Sequence, residues 1–125
     1  MYSDNMNIDI LINQHINWKS LVEGLFNEND CEVLDANVIS KDNECDFGKW
    51  IYICFEEKHD LSETVLMKEI KTIHKDFHLI TSSIINDFQS GSIDKAKSQL
   101  TTFYKTSEEL INLMERLKGE ISNYL

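Results

Sequence analysis

Apolar side chains recur along this chain at alternating steps of three and four, the rhythm of helices buried on one face. Leu11, His15, Trp18, Val22 and Leu25 mark a first helix from about Ile8 to about Phe26, with a histidine inside its buried stripe. A longer stripe runs through Met67, Ile70, His74, Phe77, Thr81, Ile84 and Phe88 and stops near Gly91. Asp60-Leu61-Ser62-Glu63 before it reads as a helix start, an N-cap followed three places later by an acid. The third stripe, Ala96, Leu100, Phe103, Ser107, Leu110, Met114, Leu117 and Ile121, keeps a heptad rhythm from a start capped by Ser92, and predicts one uninterrupted helix.

The stretch from Asn27 to Asp60 breaks this pattern. It is polar at first and then carries an apolar run from Phe47 to Phe55, and it reads as irregular with at least one short helix. Val33-Leu34 and Val38-Ile39 suit a turn or two of helix or an extended segment equally well. Pro is absent and Gly occurs four times, so obligate breaks are few. Each long stripe needs apolar faces opposite it, which predicts an all-α protein: a four-helix bundle, with a short extra helix or irregular crossover carrying Cys45-Asp46-Phe47-Gly48-Lys49-Trp50. With 125 residues the chain is expected to form a single domain, residues 1–125.

Charge narrows the partners. Twelve basic against 22 acidic side chains give a net charge of −10, a field that repels phosphates, so neither nucleic acid nor an anionic membrane is an expected partner. No run approaches the roughly 18 apolar residues a bilayer span requires, and the N-terminus lacks signal-peptide character; a cytoplasmic location is expected. Three cysteines, Cys31, Cys45 and Cys54, are an odd number without a secretory signal and read as reduced thiols or metal ligands.

His74 and His78 project from one helix face at a spacing that can clamp a metal, although such a pair alone is more often packed or solvated. His15 adds to it, because an imidazole at a core position needs a hydrogen-bond partner or a metal. Cys45 is a fourth candidate, lying before Gly48, which permits close backbone approach, and before aromatic residues able to roof a small site. Three histidines and a thiolate suit tetrahedral Zn2+ and serve magnesium or calcium poorly. Four protein ligands leave no open position for substrate, so catalysis is not expected and the role is structural or regulatory.

His15-Ile16-Asn17-Trp18, Cys45-Asp46-Phe47-Gly48-Lys49-Trp50 and His74-Lys75-Asp76-Phe77-His78 resemble, in order and separation, the pattern of the chemoreceptor zinc-binding (CZB) domain family: His-x-x-Trp, then Cys-x-[Leu/Phe]-Gly-x-Trp, then His-x-x-x-His. The resemblance implies that His15, Cys45, His74 and His78 are the zinc ligands. It implies a homodimeric helical bundle in bacterial signal transduction, of chemotaxis or cyclic-di-GMP type, acting on a chemoreceptor, diguanylate cyclase or kinase. In some members the ligand cysteine senses oxidants such as hypochlorous acid. A chain of this length has no room for an attached output module, so a stand-alone sensor passing its signal to a separate protein or through its own dimer is expected.

Other residues are expected in plainer roles. His59 reads as a surface side chain, Cys54 as a packed small hydrophobe and Cys31 as a free thiol in a polar loop. Asp46 is read equally as a partner tuning the site and as a solvated carboxylate, and Trp18 and Trp50 as packing and shielding groups. The competing readings are a hemerythrin-like or ferritin-like di-iron bundle, which needs acidic core ligands that the stripes lack, and a purely structural dimerisation bundle.

Overall fold

A computed structural model describes residues 7–28, 36–43, 45–57 and 60–121, with side chains to residue 26 in the first of these stretches. Val33, Leu34, Cys31 and His59 lie outside the described residues. All described elements are helical: α1 (Ile8–Glu28), α2 (Ala36–Ile39), α3 (Asp46–Glu56), a 3-10 turn (Asp60–Glu63), α4 (Val65–Gln89), α5 (Ile93–Ser98) and α6 (Leu100–Ile121).

The three predicted stripes are the core-facing stripes. Leu11, His15, Val22 and Leu25 of α1, Met67, Ile70, His74, Phe77, Thr81 and Ile84 of α4, and Phe103, Ser107, Leu110, Met114 and Leu117 of α6 are buried. α4 packs along α6 and against α1. Phe77 ties them together, its ring stacked on Phe103 at 5.7 Å and 5.5 Å from Trp18. The apolar run after Cys45 forms α3, whose Phe47, Trp50, Ile51 and Cys54 join the same core. That placement gives Cys54 the packing role expected of it.

Local chemistry departs from the sequence reading at three helix boundaries. Asp60–Glu63 forms a 3-10 turn, with Leu61 and Ser62 buried, and does not cap α4. The cap is Thr64, whose Oγ1 accepts from Met67 N–H at 3.2 Å. Ser92 occupies the N-cap position of α5 without a side-chain capping bond. The third stripe is divided: Gln99 turns the chain between α5 and α6, its amide donating to Asp87 of α4 at 2.7 Å. The apolar rhythm passes through this break unchanged. α4 ends as expected near Gly91, where Gly91 N–H donates to Phe88 O and Ser92 N–H to Asp87 O. This paired closure needs the positive φ of 89° that glycine adopts freely.

Among the described residues, no helix is long and apolar enough to cross a membrane.

Candidate metal centre

Four side chains from three helices meet in the interior. His15 comes from the middle of α1, His74 and His78 from successive turns of α4, and Cys45 from the N-cap of α3. One donor atom from each lies within 4.8 Å of the other three. Cys45 Sγ is 3.3 Å from His74 Nε2 and 3.5 Å from His78 Nε2, and the two Nε2 atoms are 3.1 Å apart. A tetrahedral zinc ion with Zn–N of about 2.05 Å and Zn–S of about 2.3 Å requires N···N edges of about 3.3 Å and N···S edges of about 3.6 Å. Cys45, His74 and His78 therefore stand at separations suited to one small cation, with the His15 donor within 4.8 Å of all three.

Surrounding contacts set which nitrogen faces inward. His15 Nδ1–H donates to the Leu11 carbonyl at 2.8 Å, and His78 Nδ1–H to the Ile39 carbonyl at 2.9 Å. A neutral imidazole protonated at Nδ1 carries its lone pair on Nε2, so both rings turn acceptors toward the cluster. His15 Nε2 is buried without a hydrogen-bond partner, an orphaned acceptor that a cation would satisfy.

Burial depresses all three imidazoles, and His15 falls to about 4 despite the Leu11 bond. His74 is lowered by burial and by the neighbouring His78 and His15. His78 is lowered by burial, with the Ile39 bond and the charge of Asp42 pulling the other way. Neutral rings at physiological pH are the form that ligates.

Cys45 reads differently. Burial pushes its thiol up, the Gly48 and Phe47 N–H groups at the start of α3 pull it down, and Asp42 and Asp46 push it up again. Gly48 N–H donates to Sγ at 3.2 Å, so the sulfur caps α3 in the manner of a serine. A bound dication would remove the thiol proton outright. Asp46 is exposed in the first turn of α3 and acts on Cys45 through its charge.

The roof is aromatic. Trp18 packs edge-on to His78 with ring centroids 4.6 Å apart. Phe47 lies 5.2 Å from His74, with Trp50 stacked behind it at 6.1 Å. Trp18 packs directly on the cluster, and Trp50 packs behind Phe47.

The family model of the chemoreceptor zinc-binding domain matches residues 15–85, more than half of the 125 residues. The chain belongs to the chemoreceptor zinc-binding domain family. The match begins at His15 and spans Cys45, His74 and His78, so all four clustered residues fall within the CZB region. Membership and cluster together make this a zinc-binding domain of the signalling class. Comparison with curated proteins and with solved structures gives no match.

One residue of consequence was not singled out from the sequence. Asp42 is buried at 7% exposure, its Oδ2 accepts from Tyr52 OH at 2.9 Å, and its main-chain oxygen faces the Cys45 thiol at 3.7 Å. A Cβ at Gly48 would overlap the Asp42 carbonyl, so this close approach requires glycine at position 48.

Proposed function

We propose that His15, Cys45, His74 and His78 hold one Zn2+ and that the domain reports zinc availability or oxidant stress to a signalling partner, without catalysis of its own. The convergence of three imidazole nitrogens and one sulfur within 4.8 Å carries this reading. The cluster includes no carboxylate oxygen, which favours zinc over the di-iron alternative. Four protein donors complete a tetrahedron and leave no position for substrate, the arrangement of a structural or regulatory site. Zinc bound here would join α1, α3 and α4, so its loss would release a constraint on their packing.

Cys45 is the point at which an oxidant would act. Its thiolate and hypochlorous acid would give a sulfenic acid and chloride: a sulfur–oxygen bond forms, the oxygen–chlorine bond breaks, and the sulfur loses two electrons. A neutral sulfenic acid is a poorer zinc ligand than a thiolate, and the site would open. We infer a four-helix bundle with α3 as the short extra helix carrying the Cys45–Trp50 motif, acting in the cytoplasm as a homodimer on a chemoreceptor, diguanylate cyclase or kinase. The test is zinc release on stoichiometric hypochlorous acid, followed with a chromogenic chelator. Release is expected from the wild type and equally from a Cys31→Ala, Cys54→Ala double variant. Loss of release in that double variant would move the sensor away from Cys45.

A further inference from the structure

The segment from Ala36 to Asp42 touches two members of the cluster from outside. The Ile39 carbonyl receives the Nδ1–H of His78 at 2.9 Å, and the Asp42 carbonyl faces the Sγ of Cys45 at 3.7 Å. Contacts to groups on two different helices are therefore made from positions only three apart in the chain. At its start the segment is fastened to α4, where Ser82 Oγ donates to the Ala36 carbonyl at 2.7 Å. At its end it is fastened to α3 by the bond from Tyr52 OH to Asp42 Oδ2, at 2.9 Å.

This second fastening is unusual in its chemistry. A carboxylate withdrawn from water to 7% exposure is costly unless hydrogen-bonded, and Tyr52 supplies such a bond. Cys45, Gly48 and Tyr52 follow one another at steps of three and four, so they share the side of α3 that meets the segment. Gly48 lets the Asp42 backbone lie against that side, since a Cβ there would also stand 2.8 Å from the Asp42 carbonyl carbon.

We propose that Asp42 and Tyr52 are positioning residues, their hydrogen bond latching the 36–42 strap so that Cys45 Sγ and His78 Nε2 are held at metal-binding separation. This rests on the metal-centre reading given above. Partners that orient metal ligands from outside govern affinity by about 10- to 100-fold. Tyr52 would do so at one remove, through the strap it anchors.

The test is metal titration of the chelator-stripped full chain with Zn2+ and, as a spectroscopic probe, Co2+. Tyr52→Phe and Asp42→Ala are each expected to weaken zinc binding by about tenfold or more. They should also shift or weaken the thiolate-to-cobalt charge-transfer band. Asp42→Asn retains an oxygen that accepts from Tyr52 and is expected to restore affinity toward wild type. Leu117→Val, a buried truncation near the end of α6, serves as a stability control and should lower the melting temperature while leaving affinity and spectrum unchanged.

Wild-type affinity and spectrum in Tyr52→Phe would overturn the latch and leave the metal centre standing. So would an equal loss of affinity in Leu117→Val at a comparable drop in melting temperature, or an Asp42→Asn variant no better than Asp42→Ala. A wild-type chain that binds neither ion would instead overturn the metal-centre reading itself.

Discussion

The imidazole of His15 shows what burying a neutral ring costs the metal-free protein. Its pKa drops from 6.5 to about 4 in the fold, so between those values the unfolded chain takes up a proton that the folded chain refuses. Metal-free stability is then full above 6.5 and declines as pH falls below it, and His74 and His78 act in the same direction. The raised Cys45 thiol has the opposite sign, because the folded chain keeps a proton that the unfolded one releases as pH rises through 9.0. The melting temperature of chelator-stripped protein should therefore peak between these limits and fall on the acid side. A flat profile from pH 8 to pH 5 would contradict the burial of neutral imidazoles.

At the same scale, the four clustered residues were legible because each stands at a position the pattern marks: His15 and His74 on apolar stripes, His78 one turn from His74, and Cys45 before a glycine and two aromatics. Asp42 was not legible. Its contribution runs through a main-chain carbonyl and a bond to Tyr52 ten residues on, and neither leaves a periodic trace in the sequence.

Among the elements, α3 has the tightest local fit. Its first turn receives the Asp42 carbonyl against Gly48 while its N-terminal N–H groups face the Cys45 sulfur. Gly48→Ala introduces a methyl where the carbonyl sits, an overpacking that costs about 1–3 kcal/mol and pushes the 40–43 turn away from Cys45. Reduced zinc occupancy and a lower melting temperature are the expected results, measured by metal analysis and calorimetry. Wild-type values for both would show that the turn yields without disturbing the sulfur. Side-chain periodicity fixed α1, α4 and α6 well because burial on one face is what it reports. It missed the Gln99 break, since Ala96, Leu100 and Phe103 stay in register across it, and it misread the start of α4, where the acids of the 3-10 turn imitate a cap that Thr64 supplies.

For the molecule as a whole, the cluster lies where the separate stripes converge, with α1, α3 and α4 each contributing to it and α6 closing the core beside them. Metal binding and folding should consequently be coupled, since the donor atoms approach one another only when these helices pack. Elemental analysis with native mass spectrometry on the purified full chain tests this most directly. The account predicts one zinc ion per chain in the wild type, lost in Cys45→Ala and His78→Ala together with the zinc-dependent rise in melting temperature. A wild type without zinc, or variants that retain it and melt alike with and without the metal, would contradict it.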